Sequence, residues 1–265
     1  MREERASSFD HLLELLYEGS FKSDIHRFRS DFVFRGLSSS GYGLKTSIMR
    51  LGGDYKHLEK HLLRNFKKYA HRTAFMDENI WTWLSLAQHH GLPTRLLDWT
   101  YSPYIALHFA TANIDEYEFD GIIWCVDYVK LHKRLPKKLR LLLENEGCNA
   151  FTTGLLNDGA KSLHELESLS SDEFVLFFEP PSLDDRIVNQ YALFSLSSSS
   201  SLLLSEWLRS DESLYKRVII PSELKWEIRD KLDQANITER VLFPGLSGLC
   251  SWLKRHYAPH PKKKF

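Results

Sequence analysis

The sequence predicts an α+β fold in a single domain, with a helical N-terminal half packed on a mixed or antiparallel sheet. Three observations lead there. Long segments with helical spacing of apolar residues fill the first hundred positions. Short apolar runs with strand character recur from residue 121 onward. That order, helices early and strands from the middle onward, suits one continuous domain better than two.

The elements follow in order. Ser7 or Ser8 caps a first helix to about Tyr17, with Phe9, Leu12, Leu13 and Leu16 on one face and Gly19 ending it. Phe32-Val-Phe-Arg-Gly36 is a short strand with Val33 and Arg35 on one face and Phe32 and Phe34 on the other. Residues 38 to 43 form a loop. Asp54 opens a long helix whose Tyr55, Leu58, Leu62, Phe66 and Tyr69 keep helical spacing, and a further helix covers about Ile80 to His89. Gly91-Leu-Pro93 stops it. Thr94 to Asp98 reads as a strand with Thr94, Leu96 and Asp98 on one face. Ser102-Pro103 then starts a helix to about Asn113: serine caps, and proline at the first helical position loses no needed N–H.

Gly121 to Asp127 is an apolar strand buried on both faces. A helix over about 133 to 146 leads to a polar segment, 147 to 172. Glu173 to Phe178 is a strand that Pro180-Pro181 ends, and Arg186 to Leu196 is a turn and strand. The serines at 197 to 201 form a flexible loop. Tyr215 to Ile220 is a strand, Ser222 caps an amphipathic helix, a short strand lies near Val241, and a helix over about 246 to 255 follows. The core is expected over about 30–200, with a C-terminal elaboration over 202–256 and a basic tail over 257–265.

Composition narrows the functions. Lys plus Arg and Asp plus Glu number 35 each, so the chain is not a general nucleic-acid coat. Three well-separated cysteines with no Cys-x-x-Cys spacing suggest no zinc site or disulfide framework, and a reducing cytoplasm is expected. No signal-peptide core and no membrane-length apolar run is read, so no membrane partner is expected. The sequence holds no phosphate loop, no Rossmann glycine fingerprint and no Gly-x-Ser-x-Gly elbow. No metal is expected.

The chemistry-bearing residues concentrate in Leu86-Ala-Gln-His-His-Gly-Leu-Pro-Thr-Arg-Leu-Leu-Asp-Trp-Thr100. Arg35, next to Gly36, offers planar bidentate donors to a phosphate or carboxylate, while glycine lets a ligand approach the backbone. Arg50, at helix-turn spacing from Ser47, adds a second cation. Of the paired histidines only one can face a site, and His90, beside Gly91, is the choice. Asp98 stands at a strand end, suited to ribose hydroxyls or to Arg35. Arg186 and Gln190 are four residues apart and need a turn to reach one cleft. For each, a structural ion pair or a satisfied buried network is the alternative.

These residues carry a resemblance. Arg35-Gly36, the Leu44/Ser47/Arg50 pattern, Glu59 and Phe66, Gln88 to Trp99, and Arg186-Ile187 with Gln190 and Phe194 resemble the FRG-domain family over roughly residues 30 to 200. The chain departs at Tyr191-Ala192, where the family pattern has glycine nearby. The order of parts is in turn similar, remotely, to the ADP-ribosyltransferase fold with its split-sheet core. There an aromatic-Arg-Gly strand grips NAD, a later strand precedes a helix with an Ala-x-x-Phe pattern, and a glutamate heads a further strand. Here Phe34-Arg35-Gly36, Thr94 to Thr100 with Ala106-Leu-His-Phe109, and Gln190 stand in that order.

The resemblance implies an NAD-binding ADP-ribosyltransferase-like or NAD-cleaving enzyme, a toxin or phage-defence effector, with NAD as substrate and a protein or nucleic acid as target. Arg35, Asp98 and Gln190 would be catalytic. Gly36, Arg50, His90, Thr94, Arg95 and Arg186 would bind the nucleotide. Gln190 carries no charge where that fold has glutamate, so Asp98 would supply it. A non-catalytic nucleotide- or nucleic-acid-binding module and a structural interaction domain are the alternatives.

Overall fold

A computed structural model describes residues 2–70 and 79–259. The strands are β1 (Arg2–Arg5), β2 (Phe21–Lys22), β3 (Arg27–Phe28), β4 (Phe32–Leu37), β5 (Leu96–Thr100), β6 (Gly121–Asp127), β7 (Phe151–Thr152), β8 (Val175–Glu179), β9 (Ala192–Ser197) and β10 (Tyr215–Ile220). The helices through the middle of the chain are α1 (Phe9–Tyr17), α2 (Ser47–Arg50), α3 (Tyr55–Ala70), α4 (Ile80–His89), α5 (Pro103–Ala110), α6 (Tyr128–His132) and α7 (Lys137–Glu146). Then come α8 (Thr153–Gly159), α9 (Leu163–Glu167), α10 (Asp185–Asn189), α11 (Leu204–Leu208), α12 (Lys225–Gln234), α13 (Glu239–Leu242) and α14 (Leu246–His256).

Eight strands make one mixed sheet in the order β1-β10-β6-β4-β5-β9-β8-β7, parallel at its two edges and antiparallel within; β2 and β3 form a separate hairpin-like pair. The two middle strands are barely joined. β4 pairs with β6 over six positions and β5 with β9 over five, but β4 meets β5 in the single pair Phe34 with Thr100. One apolar layer runs beneath both halves, from Val33, Ile122 and Trp124 to Leu97, Phe177 and Leu193. The opposite face carries two separate cores. Leu12, Leu16, Ala106, Leu107 and Ile228 cover the β4 side, and Trp81, Leu84, Leu139 and Leu156 cover the β5 side.

Helix starts follow the local chemistry. Ser8 accepts from the His11 amide at 3.1 Å, and Ser102 caps α5 with Pro103 in its first turn. Gly91, at φ +82°, closes α4: its amide bonds Gln88, and Leu92 bonds the Ala87 carbonyl at 2.9 Å.

The structure departs from the sequence reading in several places. The long helix α3 buries Glu59 and Leu63, with Phe66 half-buried, and leaves Leu58 and Tyr69 exposed. Its inward stripe is turned by one residue because Glu59 pairs with buried Arg95, which spacing of apolar residues cannot reveal. The segment near Val241 is helix α13, held by the Glu239–Arg255 ion pair. Strand β1, Arg-Glu-Glu-Arg, has no apolar alternation because it is an edge strand beside β10. Helices also do not cluster early, since α12 to α14 close the described chain. The basic run 261–265 lies outside the described residues. No helix among them is long and apolar enough to cross a membrane.

Two buried histidines tie these layers together in their neutral forms. His132 Nδ1 lies 2.8 Å from the Asn149 carbonyl while Nε2 accepts from the Phe177 amide at 2.8 Å, so a proton on Nε2 would face a donor. His108 accepts from Arg229 at 2.9 Å. Burial, reinforced at His108 by Arg229, pushes His132 down to about 4 and His108 down to about 3 from the usual 6.5. An unfolded chain takes up these protons near pH 6.5 and the folded one only well below. Stability is therefore full above that pH and falls as the pH drops, by about 1.4 kcal/mol per unit for each histidine. Urea denaturation at pH 7.5, 6 and 5 is expected to give a steadily falling midpoint; a midpoint unchanged between pH 7.5 and 5 would contradict it.

Candidate functional site

A cavity of about 570 Å³ sits on the sheet face where the two upper cores part. Its lining comes from β4 (Phe34, Arg35, Gly36), the end of α4 (Gln88 to Gly91), β5 (Asp98 to Thr100), α5 (Phe109) and the α10–β9 segment (Arg186, Ile187, Gln190, Ala192, Phe194). A volume of this order is usual for small-ligand sites.

Arg35 stands just past the one β4–β5 pair. Its guanidinium Nη1 donates to the backbone carbonyl of Asp98, an acceptor on the strand with which β4 no longer pairs, and lies 3.8 Å from Asp98 Oδ2. Burial pulls this guanidinium below its usual range and the positive charge of Arg50 adds to that, while Asp98 opposes it. Its Nε is buried with no acceptor. Arg186 repeats the pattern: it lies over the Phe243 ring at 4.9 Å, and its Nε too is buried and unpartnered. Asp98 is the one carboxylate among the described lining residues, so two guanidinium groups outnumber it. The site is electropositive and suits an anion with hydroxyls attached.

Asp98 is aimed by a short relay. Gln88 Nε2 donates to its Oδ2 at 3.1 Å, and buried Thr94 donates its hydroxyl to Gln88 Oε1 at 2.6 Å. Thr94 is in turn clamped by Ser47, whose Oγ accepts from the Thr94 amide at 3.0 Å and lies 3.2 Å from its carbonyl. His89 Nε2 meets Asp184 Oδ2 at 2.6 Å, while the other Asp184 oxygen caps α10 through the Ile187 amide. That pair fastens α4 to α10. One helical turn of α10 then brings Arg186 and Gln190 onto the same wall.

The structure gathers Arg35, Gly36, His90, Asp98, Arg186 and Gln190 around one cavity, and three expected ligand contacts are not there. Arg50 is exposed outside the lining. Thr94 is fully buried behind Gln88. Arg95 is consumed: its backbone and Nε bond both oxygens of Glu59, and its Nη1 bonds Glu167 and the Ser198 carbonyl. Both histidines line the cavity, not one, because the helix ends at His89 and the two rings stand 78° apart. Gln190 does not head a strand. It ends α10 and donates its amide to the Leu242 carbonyl at 3.0 Å, two residues before β9 begins. Tyr191 between them has φ +47°, a left-handed conformation that glycine adopts more readily than tyrosine.

Gly36 has a different reason from the one its sequence context suggests. A Cβ there would stand 1.8 Å from the Ala106 carbonyl oxygen, so the glycine admits helix α5, not only a ligand. Sequence reasoning gave no role to Gln88 and His89; their signal was the density of polar groups at a helix end. Trp99 is packing, 3% exposed with its Nε1 bonded to Ser195 at 2.9 Å. No group of three or more metal-binding side chains occurs among the described residues.

With this geometry in hand, the comparisons are specific in one region. Residues 30–118 match the FRG domain family. The matched span takes in Arg35-Gly36, the Glu59 helix, the relay from Gln88 to Asp98 and α5, and it stops before Arg186 and Gln190. No curated protein and no solved structure matches the chain.

The packing and cavity roles separate by mutation. Gly36→Ala should cost at least about 3 kcal/mol, because the obstruction is helix backbone that cannot step aside. Asp98→Asn should change stability by under about 0.5 kcal/mol, since its side chain is 60% exposed. Chemical denaturation of both variants checks this; an Asp98→Asn loss as large as that of Gly36→Ala would make Asp98 a structural residue.

Proposed function

We propose that this cavity binds a nucleotide of the NAD class and that the protein cleaves NAD or transfers its ADP-ribosyl group, in the manner of a toxin or defence effector. The observation that carries the reading is Arg35, set beside Asp98 where the β4–β5 pairing stops, with Arg186 on the facing wall. The two arginines hold the pyrophosphate. His89 and His90 border it, and Asp98 faces the ribose. The apolar side chains Phe34, Phe109 and Phe194 suit a nicotinamide or adenine ring.

The chemistry asks for one negative charge at a fixed point. When the nicotinamide–ribose bond breaks, the bonding pair leaves with nicotinamide and positive charge grows on the sugar. A carboxylate beside it lowers that barrier electrostatically. Gln190 is neutral and tied to Leu242, so the task falls to Asp98, which Gln88 holds in orientation. Water, or a hydroxyl, amine or base of a protein or nucleic-acid acceptor, then attacks the sugar carbon and gives up a proton.

A second reading, a nucleotide-binding module without turnover, rests on the neutral Gln190 and on the 60% exposure of Asp98, which leaves its charge in a watery setting.

Titration calorimetry with NAD and ADP-ribose, joined to an assay of released nicotinamide, separates the two. Arg35→Lys keeps a positive charge but loses the planar donor pair, and should weaken binding by roughly 1.5–3 kcal/mol. Asp98→Asn should abolish nicotinamide release while most of the NAD binding persists. Binding without release by the parent selects the module. No binding of either nucleotide removes both readings.

A further inference from the structure

A second concave surface lies apart from this cavity, along α3. It is a groove of about 760 Å³ between α3 and the start of α9. In a chain of zero net charge its described lining residues are unbalanced: six Lys or Arg against two Glu. Both glutamates, Glu59 and Glu167, are bonded to Arg95 in the groove floor. Arg95 is thus the cation that the acids consume.

Five further cations line the groove along α3: Lys56, Lys60, Arg64, Lys67 and Lys68. At 3.6 residues per turn they share an arc of about 120°, and Lys56 to Lys68 spans about 18 Å of helix axis. Lys56, Lys60 and Arg64 are exposed, with no partner among the described residues. A helix that merely needed solubility would mix signs along such a stripe. Here the one acid of α3 is turned inward and the outward stripe of the helix holds none.

We infer that the α3 groove is a binding site for the sugar-phosphate backbone of a single-stranded nucleic acid, distinct from the nucleotide cavity. Lys56, Lys60 and Arg64 recur every four residues, about 6 Å of helix axis, and so can follow a polymer whose negative charge repeats along its length. The groove is a slot beside one helix and too small for a duplex. Its walls include half-buried Ile80, an apolar side chain that an unpaired base can cover and that a duplex, its bases stacked inside, cannot use. The site does not depend on the chemistry assigned to the other cavity.

The test uses the full chain and a fluorescein-labelled 15-nucleotide oligo(U), read by anisotropy between 50 and 200 mM salt. The triple variant K56E/K60E/R64E replaces only exposed, unpartnered side chains, so its melting temperature should match the parent's. The parent should bind the oligonucleotide, and the variant should bind at least about tenfold more weakly. The slope of log K against log salt should flatten by about 2, three phosphate contacts at about 0.7 each. Arg35→Lys should bind oligo(U) as the parent does. Three results would overturn the inference: no binding by the parent at 50 mM salt, equal binding by the triple variant, or a polyglutamate of the same length displacing the RNA at equal concentration. The second would move any binding to another basic segment, and the third would make the groove a general acidic-polymer site.

Discussion

Between β4 and β5 the antiparallel pairing stops after Phe34 and Thr100, and the Arg35 guanidinium takes the Asp98 carbonyl instead of a backbone amide. A sheet that kept pairing would have no room for a side chain there. Because it does not, the upper face carries two cores with a cavity between them, where the lower face carries one continuous layer. An unsatisfied strand edge inside a protein is costly, so the arginine has a structural duty as well as a chemical one. The same residue that closes the opening supplies its strongest anion donor.

The second constraint is the buried Arg95–Glu59 pair. Breaking such a pair leaves an uncompensated charge in the core, a loss of about 3–5 kcal/mol. It locks α3 against the loop that leads into β5, and thereby fixes two surfaces at once. On one side, Thr94, Gln88 and Asp98 line up toward the cavity. On the other, α3 must turn its glutamate inward and its lysines outward. The Leu44/Ser47 spacing has the same purpose: Leu44 is buried and Ser47 clamps the backbone of Thr94.

Much of this was legible in the residues. The Ser8 cap, the Ser102-Pro103 start, Gly91 and the apolar run 121–127 mark elements by local chemistry that tertiary packing did not override, whereas Ser222, expected as a cap, lies inside a short turn before α12 and caps nothing. Arg35, Asp98, Arg186 and Gln190 could be grouped from motif order. What spacing could not convey is which polar groups are used up by burial. Arg95 reads as a free cation until Glu59 is found beside it, and Leu58 and Tyr69 read as core for the same reason. Thr94 looks like a pocket residue and is a buried support. The register of β4 against β5 has no local signature. Strand β1 was hidden because edge strands need no apolar pattern.

The central claim is that the interrupted pairing at Arg35 is a ligand site and not a packing irregularity. Hydrogen exchange read by mass spectrometry, with and without saturating ADP-ribose, tests it most directly. Peptides covering residues 32–37, 96–100 and 185–192 are expected to exchange more slowly with the nucleotide, while the α3 peptide over 55–70 exchanges unchanged. Protection confined to α3, or no change in the three cavity segments, would contradict the account.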